Sequence, residues 1–309
     1  MGLFNFNKKV EINGVRYEIC KKKVTARVVK SSKATGNVAI LSEVEGKRVK
    51  EIGKFAFERC KGITNVSIPN GITHIERGAF RDCSGLKEIV IPNSVTHLSG
   101  FSGCTELTNV KIPSSVTHIG SFAFVGCTGL TDIIIPDNVT DVGNNAFSEC
   151  KSLKKVVIGK NVTSIAYATF KGCESLSSIV IPGNVKFIQG SAQGGPAWGG
   201  AFEDCTGLAE VIIESGVESI GQRSFMNCIL LSRVTIPKSV TYIFWEDKIG
   251  RPELLETNNK ETPFDILGGR ITKDKPKREK LVFYVQPGST AEKFAEKWRY
   301  EFKYLENMI

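Results

Sequence analysis

The chain has 309 residues, of which 41% are hydrophobic and 24% charged, so it contains enough apolar material for a continuous folded core. Its net charge of +9 comes mainly from residues 1–50, which hold 12 Lys and Arg against 4 Asp and Glu; residues 51–245 hold 16 of each sign. A nucleic-acid-binding protein would carry a basic stripe along its working face. The neutral middle of the chain excludes that class, and we interpret the basic N-terminal segment as a solvated edge.

The N-terminal residues show no export signal. Lys8 and Lys9 are not followed by the apolar segment that a secretory leader contains, and no apolar run approaches the length of a transmembrane helix. We therefore expect a cytoplasmic protein without membrane insertion. A cell-surface or secreted location is the alternative if a leader has been removed.

The first predicted element is a β-hairpin between Val10 and Ile19. Its centre is Asn13-Gly14, a strong signal for a two-residue hairpin turn. We assign residues 1–44 to an N-terminal β cap.

Residues 45–245 are dominated by a repeat of 23 residues. The copy that starts at Ile112 reads IPSSVTHIGSFAFVGCTGLTDII, and the next, from Ile135, reads IPDNVTDVGNNAFSECKSLKKVV. Residues 91–111 form a copy shortened to 21 residues, and residues 181–212 form a copy enlarged to 32. Such an array predicts a solenoid, in which each coil covers the apolar edge of the previous coil. We number the repeat positions from the Ile that opens each copy.

The apolar positions of the repeat predict the core. Stacked coils place identical side chains in ladders about 4.8 Å apart. We expect the spine of the core to be a Phe ladder, which comprises Phe57, Phe80, Phe101, Phe124, Phe147, Phe170, Phe202 and Phe225. The spacing of Leu130, Ile133 and Ile135 predicts a strand of a parallel sheet, and Val116 to Ile119 predicts a second short strand across the coil.

The pattern I-P-x-x-V-T-x-I-G-x-x-A-F-x-x-C-x-x-L resembles the BspA-type leucine-rich repeats of bacteria and some protozoa, over roughly residues 40–245. The resemblance implies an α/β or mainly β leucine-rich-repeat solenoid with a concave parallel sheet. It also implies adhesion or protein binding, often at a cell surface. This chain departs from the family because it shows no export signal.

Two segments follow the repeats. Residues 246–280 are charged and lack the repeat, which predicts a loop insertion. Residues 281–309 predict a C-terminal cap: a strand at 281–285, a short helix that opens with a Ser289–Glu292 capping box, and a strand near 302–305. The ending Y-V-x-P-G-S-x-A-E-x-F is also similar to the terminal segment of the BspA-type family.

Cysteine and histidine occupy fixed repeat positions. Eight of the nine cysteines stand at position 16, where the ladder spacing exceeds the Cβ separation of about 3.8 Å that a disulfide needs. We expect free, buried thiols. His74, His97 and His118 stand at position 7, followed by Asp141. These are metal-ligand types, but a straight exposed column is a poor tetrahedral cage, and duplication of Val-Thr-His-Ile explains the pattern. We assign no metal or cofactor, and we expect crowded imidazoles to resist joint protonation.

The candidate partner-binding residues lie at the outward positions of the predicted concave sheet. Position 23 holds an apolar run, and polar residues flank it. The candidates are Ile134, Val157, Val180, Ile212, Asp132 and Lys155. Contiguous exposed apolar surface marks an interaction site; the alternative is simple strand preference for β-branched residues.

The enlarged repeat contains a glycine-rich loop, residues 189–200, that ends near Trp198. Tryptophan is a common interface anchor; the alternative is a tolerated insertion. The loop matches no phosphate-binding motif, and the chain contains neither H-E-x-x-H nor G-x-S-x-G. We therefore expect a non-enzymatic protein-interaction module that binds a protein partner of unknown identity through the concave sheet. The alternatives are a cell-surface adhesin for host proteins or glycans and a metal-dependent enzyme at the His column.

Overall fold

The computed structural model describes residues 8–20, 25–190, 199–243, 245–246, 252–253, 281–298 and 300–305. Trp198 and most of the predicted 246–280 insertion lie outside these residues, and so do Lys21, Lys22 and Lys23 of the basic N-terminal segment. The N-terminal strands are β1 (Lys8–Ile12), β2 (Val15–Cys20), β3 (Thr25–Val29), β4 (Gly36–Ala39), β5 (Glu43–Val44) and β6 (Lys47–Ile52).

The predicted hairpin at the N-terminus is confirmed. β1 and β2 pair antiparallel, and Ile12 and Val15 close the pair around Asn13 (φ 50°) and Gly14 (φ 74°). Both turn residues have positive φ, as the favoured hairpin turn requires. β3 then pairs with β2 and, in parallel, with β6, so the hairpin continues directly into the first coil.

Each coil contributes one strand to a long-strand sheet at positions 21–23. These strands are β7 (Ile63–Ser67), β9 (Glu88–Val90), β11 (Asn109–Lys111), β13 (Asp132–Ile134), β15 (Lys155–Val157), β17 (Ser178–Ile181), β19 (Glu210–Ile213) and β21 (Arg233–Ile236). The pairs are parallel and in register with the repeat, which confirms the predicted leucine-rich-repeat solenoid. The hydrogen-bonded groups are β4–β7, β9–β11, β13–β15 and β17–β19–β21, with contacts between the groups.

A short-strand sheet lies at positions 7 and 8. Its strands are β8 (His74–Ile75), β10 (His97–Leu98), β12 (His118–Ile119), β14 (Asp141–Val142), β16 (Ser164–Ile165), β18 (Phe187–Ile188), β20 (Ser219–Ile220) and β22 (Tyr242–Ile243). We predicted a strand over 116–119, and only its last two residues form one. The Val116 N–H is used in a turn, since it donates to the Pro113 carbonyl at 3.1 Å.

A third ladder of backbone hydrogen bonds, which the sequence analysis missed, joins the turns at positions 10–15. For example, the N–H groups of Phe122, Phe124 and Gly126 donate to carbonyls of the next coil at 2.7–3.0 Å. The same pattern links successive coils from Phe55 to Met226. It depends on positive φ at position 15, where Gly, Asp and Asn, which tolerate that conformation, are frequent.

The core follows the repeat. All eight rings of the Phe ladder are at most 1% exposed, and consecutive rings stack with centroids 5.2–5.6 Å apart. The eight position-16 cysteines are free and buried, as predicted. The thiols of seven of them donate to the carbonyl of a ladder Phe in the previous coil, such as Cys127 Sγ to Phe101 O at 3.1 Å. Burial raises the pKa of Cys83 and of Cys150 to about 12.

The C-terminal elements close the last coil. They are β23 (Trp245–Glu246), β24 (Pro252–Glu253), β25 (Val282–Val285), α1 (Thr290–Trp298) and β26 (Glu301–Tyr304). β25 pairs in parallel with β21, and β26 with β25. Ser289 Oγ accepts from the Glu292 N–H at 3.1 Å, as the capping box predicts, but the Glu292 carboxylate accepts from the Gly288 N–H rather than from that of Ser289.

Candidate interaction surface

The long-strand sheet exposes a row of apolar side chains, which we call the apolar stripe: Ile134, Val157, Val180 and Ile212. Alternation along each strand buries position 22 and turns positions 21 and 23 outward. Ile134 is 62% exposed, Val157 41% and Val180 48%, whereas Ile212 is half-buried. Four consecutive coils at about 4.8 Å each make the stripe about 14 Å long.

The stripe has defined ends. Towards the N-terminus, Lys111 separates it from Val90, which occupies the same position and is highly exposed. Towards the C-terminus, Thr235 is followed by Tyr284, its register partner on β25. The Arg233 guanidinium lies over the Tyr284 ring at 4.4 Å from the centroid and contacts the Glu210 carboxylate at 3.3 Å.

Tyr284 is a surface residue that the sequence analysis missed. It lies far along the chain from Arg233, beyond the charged insertion, and only the pairing of β25 with β21 brings the two together. The signal was present in the apolar alternation of Val282 to Val285, which continues the strand pattern of the repeats. A tyrosine beside an arginine adds residue types that are enriched at interfaces.

A row of charged residues borders the stripe at position 21. Asp132 and Lys155 are exposed register partners, and the Thr131 hydroxyl donates to Asp132 Oδ2 at 2.8 Å. The row continues with Ser178, Glu210 and Arg233. The charge at position 21 therefore changes from coil to coil in the order negative, positive, neutral, negative, positive.

A second charged row begins where the strands end, at positions 2 and 3, and has the same order of signs. Its members are Asp137, Lys160, Glu214 and Lys238. Lys160 Nζ contacts Asp137 Oδ2 at 3.0 Å, and the Glu214 carboxylate accepts from the Gly183 N–H at 3.2 Å. Hydrogen bonds from the Lys160 backbone and side chain lower the pKa of Asp137.

His74, His97 and His118 form a His ladder on the short-strand sheet. Their rings stack with centroids 4.4 Å and 4.6 Å apart. Each Nδ1 lies 2.8–2.9 Å from the hydroxyl of the preceding Thr, and that hydroxyl also lies 3.2–3.3 Å from a carbonyl of the previous coil.

The pKa of the central His97 is lowered, first by partial desolvation of this largely exposed ring and then by the neighbouring charges of His74 and His118. The effect of the two neighbouring imidazoles on His97 has the direction that crowding predicts. Among the residues that the structure describes, no group of three or more His, Cys, Asp or Glu side chains is placed to hold a metal ion.

The base of the enlarged loop is held by a buried carboxylate. Glu203, only 3% exposed, accepts from Lys171 Nζ and from the Arg223 guanidinium, each at 2.9 Å, and from the Gly200 N–H at 2.9 Å. Burying a carboxylate is costly unless it is paired, and here two cations and a backbone donor satisfy it. Residues 191–198 of the loop, with the candidate Trp198, lie outside the described residues.

The short-strand sheet carries exposed apolar residues of its own, Phe187 and Tyr242, at 44% and 47% exposure. Ser219 stands between them in register and is buried, so the two rings do not form a continuous row. This pair matches Val157 and Val180 in exposure and lies on the other sheet of the solenoid. Over the described part of the chain, no helix is long and apolar enough to cross a membrane.

Several solved structures similar to this chain are bacterial leucine-rich repeat proteins. A leucine-rich repeat protein of T. pallidum is 24% identical, with a TM-score of 0.50, and the match covers 72% of this chain and 91% of that one. One from Bacteroides ovatus is 22% identical, with a TM-score of 0.48, over 75% and 87% of the two chains. A leucine-rich cell surface protein of Faecalibacterium prausnitzii is 22% identical, with a TM-score of 0.38, over 78% and 92%.

The family comparison agrees with the repeat pattern. The BspA type leucine-rich repeat region matches in 6 copies over residues 34–101, 99–193 and 199–246, while the comparison with curated proteins gives no match. Proteins of this type are associated with the cell surface, so the cytoplasmic location expected from the N-terminal residues finds no support here. Since the matched residues make up well over half of its length, the chain belongs to the BspA-type leucine-rich repeat family.

Proposed function

We propose that this chain is a non-enzymatic interaction module that binds a protein partner through the apolar stripe. The observation that carries the proposal is the exposure of Ile134, Val157 and Val180 in consecutive coils. Exposed apolar side chains on a soluble protein are normally scattered, whereas a contiguous row marks a surface that is covered in a complex.

Strand preference by itself does not account for the stripe. β-branched residues suit strands whatever their function. Position 23 nevertheless accepts Lys111, Thr235 and Lys303 in strands of the same sheet, so the fold does not require an apolar side chain there. The apolar choice in four consecutive coils supports selection for contact with a partner.

The borders of the stripe also suit an interface. Charged and polar residues flank it on both sides, as the rim of an interface does. At one end, Tyr284 and Arg233 form a stacked pair of the residue types that most often carry binding energy. Asp132 and Lys155 would give such an interface its polar specificity.

The test compares two double variants in a pull-down from the native organism. In the first, Val157→Asp and Val180→Asp place charges in the stripe. In the matched control, Phe187→Asp and Tyr242→Asp place the same charges at equally exposed positions on the short-strand sheet. We expect the first variant to lose its partners and the control to keep them, with unchanged circular dichroism for both. Full recovery of partners by the first variant would overturn the proposal.

A surface adhesin that binds host proteins or glycans is the second candidate, and the family's association with the cell surface favours it. Fractionation of the native organism separates the two. Accessibility of the protein to protease on intact cells would support the adhesin, and its confinement to the soluble interior would reject it.

A further inference from the structure

In the two charged rows beside the apolar stripe, reversing the order of the residues inverts the sign of every charge. Along position 21 the order is Asp132, Lys155, Ser178, Glu210, Arg233. After the strands, Asp137, Lys160, Gly183 and Lys238 occupy position 3, and Glu214, at position 2, supplies the charge of its coil. Read backwards, each row has the opposite sign at every charged place. Both rows have their neutral centre in the same coil, the one that contributes Val180 to the stripe.

We propose that the partner at the apolar stripe is a second copy of this chain, docked face to face with its coils running in the opposite order. This deepens the proposed function and rests on it. The two-fold axis runs parallel to the strands through β17, so Val180 of one copy meets Val180 of its partner. In such an isologous contact one surface must be complementary to itself.

This arrangement pairs opposite charges along both rows. Asp132 meets Arg233 of the partner subunit, and Lys155 meets Glu210 of the partner subunit. The second row pairs Asp137 with the partner's Lys238, and Lys160 with the partner's Glu214. Packed sheets lie about 10 Å apart, a gap that long charged side chains from both copies can bridge.

The stripe is compatible with the same axis. Val157 meets Ile212 of the partner subunit, and Ile134 meets Thr235 of the partner subunit. The other possible two-fold axis, along the solenoid, would place each coil against itself. Lys155 would then meet Lys160 of the partner subunit, and Asp132 would meet the partner's Asp137, which is repulsive in every charged coil. The order of the charges therefore selects the antiparallel arrangement.

The order of charges also limits how many coils the contact can cover. Four coils from the centre, Glu88 on β9 would meet Glu301 of the partner's β26, so the favourable region extends from β11 to β25. Seven coils and strands of about five residues give roughly 29 Å by 17 Å, or about 1,000 Å² in total for the two copies. That is at the small end of specific interfaces, so we expect a weak dimer that forms with rising concentration.

The experiment mixes two single charge reversals and measures mass by sedimentation equilibrium. In Lys155→Glu, the new carboxylate faces Glu210 of the partner subunit, and the two repel. In Glu210→Lys, the new ammonium group faces Lys155 of the partner subunit, and these two also repel. Each variant alone should associate at least about tenfold more weakly than the wild type. An equimolar mixture should recover the wild-type affinity, because both cross-contacts become attractive. The chain that carries both reversals should also dimerise like the wild type.

Three outcomes would overturn the inference. They are a wild-type chain that stays monomeric at its highest soluble concentration, single variants that dimerise as well as the wild type, and a mixture that fails to recover. Tighter association of Lys155→Glu would indicate the other axis and reject this one. Unchanged melting temperatures show that the variants are folded. If the chain is monomeric while Val157→Asp plus Val180→Asp still loses its captured partners, this inference fails and the proposed function stands.

Discussion

The Phe ladder and the His ladder both arise from a residue that recurs at one repeat position, but the first lies in the core and the second on the surface. Both are rows of aromatic rings stacked through consecutive coils, at 5.2–5.6 Å in the Phe ladder and 4.4–4.6 Å in the His ladder. The Phe rings are buried, whereas His97 and His118 are exposed. Repetition therefore makes a ladder at every position, and burial decides whether the ladder stabilises the fold or belongs to its surface.

Breaking the Phe ladder at its centre should have the largest effect. Phe124 is fully buried and stacks on Phe101 and Phe147. Phe124→Ala removes a core ring and leaves a cavity, which should lower the free energy of unfolding by about 3–5 kcal/mol. Guanidinium chloride unfolding measures it. Phe187→Ala, at an exposed Phe, serves as the control and should cost within about 0.5 kcal/mol. Equal losses in the two variants would contradict the buried spine.

Cys127, in the column that packs with the Phe ladder, should show an intermediate effect. Its thiol is buried and donates to the Phe101 carbonyl. Cys127→Ala removes the sulfur and that donor, so we expect a loss of about 1–3 kcal/mol in the same unfolding experiment. A cost as small as that of the exposed control would show that the cysteine column does not contribute to the core.

The His ladder should contribute a small, pH-dependent effect. Since its pKa is lowered, His97 takes up a proton more readily when the chain is unfolded. Stability should therefore fall as the pH drops through the ordinary histidine pKa near 6.5, and level off below the lowered value. Thermal melts of wild type and His97→Gln between pH 8 and pH 5 measure this. The variant should lose less stability on acidification; parallel curves for the two proteins would contradict the lowered pKa of His97 in the folded chain.

The structure of a single coil is predictable from the repeat alone. The 23-residue period places the same side chain at the same depth in each coil, so the Phe ladder, the buried cysteines, the His column and both strand positions could be predicted before any coordinates. The hairpin at Asn13-Gly14 and the cap at Ser289 were also predictable, because the signals for both lie in a few neighbouring residues.

Contacts between coils and across the insertion depend on backbone conformation and long-range strand pairing, which the repeat does not encode. The third ladder depends on positive φ at Asp82, Glu149 and their equivalents, a backbone property that side-chain periodicity does not encode. Tyr284 joins the surface because β25 pairs with β21 after a segment without the repeat. The 32-residue copy stays in register through Ser178 and Glu210, which fixes the order of charges beside the apolar stripe. A repeat sets each residue's depth locally, whereas neighbours on a surface are set by strand pairing between distant parts of the chain.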